Sequence, residues 1–286
     1  MKDINELKFT TIIGPKNDLS DKLISLGATH VEKDCRSDPK KAFPPIIPRK
    51  TGITVYTSFL IPFTAINYLN SIGIKPGKIV RTDEGLGSFS SLSHVYSSAL
   101  LSSNNEFSRI GAAAYAIAHT MLDSLTKITP AFRTDFIFLP DRSINERKQK
   151  MAAEILRKTQ DRTIDGHSIF ISQPMLFKNF KSAAEYISFI TETSKKISPQ
   201  KQLIVKRHRD DNFNYEKHGL RTLDGKSLEQ YSLENSTVFG VGSTALITAK
   251  VLCNCKEVYF SPLTIGYSGL SKACKEIFER YLTPVN

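Results

Sequence analysis

Ser168-Ile169-Phe170-Ile171-Ser172, then Ala183 to Lys196, then Gln202-Leu203-Ile204-Val205-Lys206 running into Arg207-His208, decide the fold class. The outer runs are short, apolar and of strand length, while the middle one repeats its apolar residues at helical spacing. Strand, helix, strand in that succession implies parallel pairing through a crossover helix. The pattern continues downstream. Ser236-Thr237-Val238-Phe239 reads as a strand reaching Gly240, Ala245 to Leu252 as a short helix and Glu257-Val258-Tyr259-Phe260 as the last strand. It also runs upstream, with strands predicted at Phe9 to Ile13, Ile53 to Tyr56 and Lys78 to Arg81, and helices at Asp18 to Leu26 and Ile61 to Ile72. Arg109 to Ile128, rich in alanine, is predicted as a buried helix. The composition turns polar between Pro140 and Gly166, partly helical over Ile144 to Lys158, and a boundary is placed there. An N-terminal unit, 1–155, and a C-terminal unit, 156–286, are therefore expected as two α/β units facing each other. Ligands of such sheets bind beyond the carboxyl ends of the strands.

The 286-residue chain is 40% hydrophobic and 23% charged, a globular balance long enough for two cores. No window approaches the ~18–20 uninterrupted apolar residues of a membrane span, and Met-Lys-Asp-Ile-Asn-Glu lacks the layout of a secretory signal. A cytoplasmic protein is expected. Its net charge of +11 favours anionic partners: a nucleotide-sugar, an anionic lipid surface or nucleic acid. The basic residues are spread along the chain, and neither an aromatic RNP sheet nor a GXXG loop is present, so nucleic acid is not the expected partner. Cys253-Asn254-Cys255, without a nearby His or Cys pair, makes a poor zinc signature and reads as buried thiols.

Polar clusters stand at the ends of the predicted strands. Asp83-Glu84-Gly85 follows Lys78 to Arg81, His208 with its basic neighbours follows Gln202 to Lys206, and Ser243-Thr244 opens a helix after Gly240-Val241-Gly242. Taken alone, each has a plainer reading: a turn, a solvated loop and a helix N-cap. Together they suit transfer of a glycosyl group from a nucleotide donor. The acceptor hydroxyl needs a carboxylate to take its proton, and the departing phosphate needs donors for its developing charge. A Gly-rich approach to a helix N-terminus is a natural phosphate site.

In this order the clusters resemble the motifs of bacterial sialyltransferases, notably the polysialyltransferases and lipooligosaccharide enzymes. Thr82-Asp83-Glu84-Gly85-Leu86-Gly87-Ser88-Phe89 resembles their acidic-acidic-Gly motif, Lys206-Arg207-His208-Arg209 their His-Pro motif, and Phe239-Gly240-Val241-Gly242-Ser243-Thr244-Ala245-Leu246 their hydroxyl-pair motif. Ile171-Ser172-Gln173-Pro174 resembles the Ser-Gln-Pro stretch that opens their donor half. The similarity covers roughly residues 78 to 250. It implies a GT-B fold of two Rossmann-like domains across a cleft, the first on the acceptor side and the second binding the CMP-sugar. It also implies inverting transfer of sialic acid from CMP-sialic acid to a glycan or glycolipid of capsule or lipooligosaccharide type. By the same resemblance Glu84 is the general base, Asp83 orients it, and His208 acts on the CMP phosphate. Gly85, Ser172, Gln173, Arg209, Gly242, Ser243 and Thr244 would contact the donor, with Glu229 of Ser227-Leu228-Glu229-Gln230 gripping the ribose.

One departure stands out: Arg209 occupies the place of the family's proline. Proline fixes the local backbone; arginine gives up that constraint and offers a phosphate contact. His218 is the alternative imidazole, in a polar stretch rather than at a strand end. No metal and no further cofactor are expected. The chain has no Asp-x-Asp pair, and CMP leaves with a single phosphate that His, Ser and Thr can neutralise. Rival readings keep the machinery with another CMP-activated acid (pseudaminic acid, legionaminic acid or Kdo), or make the chain a non-catalytic basic nucleotide- or nucleic-acid-binding module. The tail Leu270 to Leu282 gathers Leu270, Ala273, Cys274, Ile277, Phe278 and Tyr281 on one face. That face fits either packing on a domain, with the last helix crossing back to the other half, or peripheral contact with an anionic inner membrane.

Overall fold

The computed structural model describes residues 11–14, 29–32, 53–58, 76–82, 92–101, 108–128, 132–135, 154, 157, 160, 162–173, 176–208, 211–223, 228–262 and 270–285. The chain divides into two compact units, Met1–Arg81 with Pro130–Thr134, and Thr82–Thr129 with Asp135–Asn286. The boundary expected at residue 155 lies outside the described residues, as do the helices expected at Asp18 to Leu26 and Ile61 to Ile72.

The described residues of the first unit lie in strands. β1 (Thr11–Gly14) and β2 (Thr29–Glu32) pair in parallel with Thr11 opposite Thr29. β3 (Ile53–Ser58), β4 (Pro76–Thr82) and β5 (Phe132–Asp135) form a three-stranded sheet with β4 in the middle. Ile53, Val55, Ile79 and Val80 supply the β-branched side chains that favour a pleated surface. β4 ends at Thr82, directly ahead of Asp83.

The second unit opens with two helices that pack on each other, α1 (Leu92–Leu101) and α2 (Arg109–Ile128). Val95 and Ala99 of α1 and Ala112 and Ala116 of α2 are buried, and small side chains let helix axes approach closely. The expectation that α2 is a buried helix holds on one side only: Ile110, Tyr115, Ile117 and Met121 are exposed. Ala112 and Ala116 face inward, while Ala114 and Ala118 are exposed with the larger residues.

The rest of the unit is an α/β sheet. β6 (Arg162–Thr163) pairs in parallel with β10 (Tyr231–Ser232). The main sheet comprises β7 (His167–Ile171), β8 (Gln202–Lys206), β9 (Arg221–Thr222), β11 (Thr237–Gly240), β12 (Glu257–Phe260) and β13 (Thr283–Pro284). Its spatial order is β13-β12-β11-β7-β8-β9, parallel throughout. α3 (Ala183–Ile197) links β7 to β8, α4 (Thr244–Val251) links β11 to β12, and α5 (Lys272–Tyr281) links β12 to β13. In chain order these strands read 3-2-1-4-5-6, the doubly wound order of dinucleotide-binding sheets. The chain moves outward from β7 one way, returns to β11 beside β7, and moves outward the other way. The reversal between β7 and β11 opens a crevice at their carboxyl ends.

The core explains the order. Ile169, Phe170, Val238 and Phe239 of the two central strands are almost fully buried, and the rings of Phe170 and Phe239 lie 5.2 Å apart. Burying each Phe contributes roughly 1.5–3 kcal/mol. α3 presents Tyr186, Ile190 and Ser194, one turn apart, and Ser194 donates to Ser168 Oγ at 2.7 Å. Its start is capped: Ser182 Oγ accepts the Glu185 amide at 3.1 Å, and Glu185 Oε2 accepts the Lys181 amide at 2.7 Å. α5 buries Cys274, Ile277 and Phe278, with Phe278 5.5 Å from Phe260 of β12. The apolar face of the tail is therefore committed to its own sheet. Among the described residues no helix is long and apolar enough to cross a membrane.

At the opposite, amino edge, Lys201 Nζ lies 2.9 Å from Glu257 Oε2, and Thr237 Oγ1 donates to that oxygen at 2.5 Å. The hydrogen bonds from Thr237 and then Lys201 hold the Glu257 carboxyl below its ordinary value. A depressed folded-state pKa stabilises the fold above the unfolded value, about 4.3, and that stability fades as pH falls through the lower folded value. Glu257 is half exposed, which limits the effect to about 0.5–1 kcal/mol. Glu257→Gln is expected to lower the urea midpoint modestly at pH 7 and not at pH 3. An equal loss at both pH values would show that the charge is not what matters.

Candidate functional site

The strand register lines up one row of residues at the carboxyl edge. Ile171 of β7 stands opposite Lys206 of β8 and Gly240 of β11, and Gly240 opposite Phe260 of β12. The ladder runs one residue further: Ser172 N–H donates to Lys206 O at 3.1 Å, and Ser261 N–H to Gly240 O at 2.9 Å. Gln173, His208 and Gly242 therefore leave the sheet together, two residues beyond that row. With strands about 4.8 Å apart, β8 and β11 stand roughly 10 Å from each other across β7. That span suits a phosphate group held between them.

Ser243 is the N-cap of α4, with extended backbone, and its Oγ accepts the Ala245 amide at 3.3 Å. The hydroxyl keeps its own proton to donate, and Ser243 also accepts the Leu246 amide at its carbonyl, at 3.1 Å. Leu246, Ile247 and Ala249 are buried behind it, so the helix start is fixed by its packing.

Ser172 is fully buried, and its Oγ accepts the His208 amide at 2.9 Å. It therefore holds the main chain of His208 against the end of β7 and is not an open donor-facing hydroxyl. Gln173 beyond it is partly exposed. His208 is partly exposed, and its carbonyl accepts the Asp211 amide at 3.0 Å. His218 ends a short 3-10 turn (Glu216–His218), exposed, with its ring stacked on Phe213 at 5.3 Å, ahead of β9 rather than after a strand.

Glu229 is not brought to this edge. Its turn, Leu228–Gln230, lies against α4, and Cys253 Sγ, beyond the C-terminal end of that helix, sits 3.7 Å from Leu228 O. Eight helical residues separate that end from Ser243, about 12 Å at 1.5 Å per residue. The following β10 then pairs with β6, on the amino side of β7, and fixes the turn there. Asp83, Glu84, Gly85 and Arg209 lie outside the described residues.

Sequence reading missed the residues that hold the loop after β8. Asp211 is buried, its Oδ1 accepting the Phe213 amide at 3.1 Å and its Oδ2 the Tyr215 hydroxyl at 2.7 Å. The Tyr215 hydroxyl in turn lies 2.9 Å from the Tyr186 hydroxyl of α3. Burial, above all, raises both phenols beyond their ordinary range, with Asp211 adding to it, so both stay hydrogen-bond donors. The available signal was Asp211 itself, a residue type whose side chain can accept the main-chain amide two positions on in an Asx turn.

The thiols play no part at this edge. Cys253, Cys255 and Cys274 are buried, and burial pushes Cys255 up to about 11. Among the described residues no group of three or more His, Cys, Asp or Glu side chains is placed to hold a metal ion. No protein-family model matches the chain, and no curated protein matches it.

Proposed function

We propose that the protein is an inverting glycosyltransferase of the bacterial sialyltransferase kind, moving sialic acid from CMP-sialic acid to a hydroxyl of a cell-surface glycan. In this reading the chain is a GT-B enzyme with two Rossmann-like domains, the donor held at the carboxyl edge of the β7–β11 sheet. The observation that carries it is the gathering of Gln173, His208, Gly242, Ser243 and Thr244 at one switch point of a doubly wound sheet. The resemblance groups the same residues on independent grounds.

The roles follow from the chemistry. Glu84, oriented by Asp83 and with Gly85 allowing close approach, takes the proton of the acceptor hydroxyl as it attacks the anomeric carbon. The glycosidic bond to the CMP phosphate breaks, and charge builds on the departing oxygen. His208 meets that charge with an N–H, as general acid or electrostatic partner. Ser243 Oγ–H and the Thr244 amide at the helix start bind the other phosphate oxygens, and Arg209 adds a second positive charge. Ser172 serves by positioning His208. Glu229 is left out of the donor site because its turn lies at the far end of α4.

A donor screen tests the reading. Purified protein is offered CMP-sialic acid, CMP-pseudaminic acid, CMP-legionaminic acid and CMP-Kdo, and CMP release is measured in EDTA. Release from CMP-sialic acid, undiminished by EDTA, is expected. Release confined to another donor would move the assignment to that sugar. No release from any, together with DNA or RNA binding that falls steeply with salt, would replace the enzyme with a binding module.

A further inference from the structure

The main chain of His208 is gripped on both sides. Its N–H is taken by Ser172 Oγ at 2.9 Å, and its carbonyl takes the Asp211 N–H at 3.0 Å. Both partners are buried, Ser172 at 0% and Asp211 at 3% exposure. Ser172 is itself anchored by its N–H to Lys206 O at 3.1 Å, so the continuations of β7 and β8 are tied to each other twice within a few residues. Asp211 is anchored through its carboxylate. Tyr215 spends its only hydroxyl proton on Oδ2, so the 2.9 Å contact with Tyr186 must use the Tyr186 proton. A continuous line of hydrogen bonds thus runs from α3, through Tyr186, Tyr215 and Asp211, to the backbone of His208. The rings along it are packed edge to face, with Phe213 lying 4.9 Å from Tyr215 and 5.1 Å from Tyr186.

We propose that Ser172 and Asp211 are positioning residues that aim His208, supplying through the Ser172 hydroxyl and the Asp211 main-chain amide the backbone constraint that a following proline would otherwise give. The proposal rests on the reading of His208 as the group that meets the departing phosphate. Neither residue touches the donor; each acts on the reaction through His208. A neutral buried hydroxyl is well suited to the task because it restrains the amide without adding charge near the phosphate. A lost restraint that lets a catalytic group drift by about 1 Å costs on the order of 100-fold in rate.

The test compares Ser172→Ala, Ser172→Thr, Tyr215→Phe, His208→Ala and the Ser172→Ala/His208→Ala double variant of the whole chain. Its readouts are kcat and KM for CMP release from CMP-sialic acid, and amide hydrogen exchange at His208. Ser172→Ala is expected to lower kcat about 10- to 100-fold with KM within about 3-fold. Ser172→Thr, which keeps the oxygen, is expected to recover most of that loss. In the His208→Ala background Ser172→Ala should cost nothing further, because a residue acting through another has no effect once the other is gone. Should Ser172→Ala not fold, Tyr215→Phe loosens the same anchor from the other side: kcat falls several-fold, and the His208 amide exchanges about 10-fold faster while that of Ile204 is unchanged. Losses that add fully in the double variant, or folded Ser172→Ala and Tyr215→Phe variants with wild-type kcat, overturn the positioning role alone. An inactive wild type, or a fully active His208→Ala, overturns the functional reading and takes the positioning role with it.

Discussion

His208→Ala is expected to lower kcat for CMP release by about 10²- to 10⁴-fold, and Glu84→Gln to do the same with the donor KM nearly unchanged. The two losses have different origins and can be told apart. In the proposed mechanism the imidazole acts on the leaving group, so its removal should hurt least with donors whose leaving phosphate is already a weak base. Glu84→Gln removes the base that the proposed mechanism gives the acceptor. It should suppress transfer far more than slow hydrolysis of the donor, because water is a poor substitute for an aligned hydroxyl. Assayed with and without acceptor, the pair therefore reports both halves of the displacement. Wild-type turnover in either variant would remove that residue from the mechanism. If His218→Ala failed where His208→Ala succeeded, the imidazole would have to be reassigned, against the exposed, ring-stacked placement of His218.

The fold was legible where burial and periodicity agree. Gln202–Lys206 and Glu257–Phe260 are strands over the predicted residues, and Arg109–Ile128 is a helix over its predicted length. The flanking glycines, serines and charged residues punctuate apolar runs that can be satisfied in only one way. What stayed hidden are elements too short to carry a period. β6, β9, β10 and β13 hold two residues each, and their partners lie far off in sequence. β13 exists because α5 returns the chain to the edge of β12, a tertiary fact that no local pattern of Thr283-Pro284 records. Nor does spacing say which side of α2 is covered: its alanines and its aliphatics both recur at helical spacing, and the structure buries Ala112 and Ala116 while Ile110 and Met121 stay exposed.

At the site the same division holds. Residues that follow a strand directly, such as His208 and Gly242-Ser243, could be placed by counting, since a parallel strand fixes where its next residues emerge. Glu229 could not, because a turn joined to short strands takes its position from the β10–β6 pairing. Ser172 was legible as belonging to the edge but not in its duty. Whether a serine hydroxyl faces a ligand or a main-chain amide depends on the approach of β8, not on its own neighbours. Asp211 was not singled out in the sequence; only the fold brings the Tyr215 hydroxyl onto its carboxylate and, from α3, the Tyr186 hydroxyl onto that of Tyr215.

Gly240→Val is expected to destabilise the second unit by more than about 3 kcal/mol, and Gly240→Ala by about 1–3 kcal/mol. Gly240 ends β11 at the switch point, between Ile171 and Phe260 in the ladder. A Cβ there would stand 3.0 Å from the Ile171 carbonyl oxygen and 3.4 Å from Leu246 Cδ2. The first neighbour is main chain of the adjacent central strand, and the second is a fully buried side chain, so neither yields cheaply. Valine improves strand propensity by at most about 1 kcal/mol, which does not offset two further carbons in the same gap. At about 2–4 °C per kcal/mol for a unit of this size, Gly240→Ala should lower Tm by several degrees, and Gly240→Val should abolish a cooperative transition or shift it by ten degrees or more. The strain falls on the carbonyl just ahead of Ser172. Folded Gly240→Ala should therefore also show faster amide exchange at His208, a consequence that a remote packing defect would not have. A Gly240→Val protein melting within a degree or two of wild type would mean that β7 and β11 do not meet at this row, and the crevice between their ends would lose its floor.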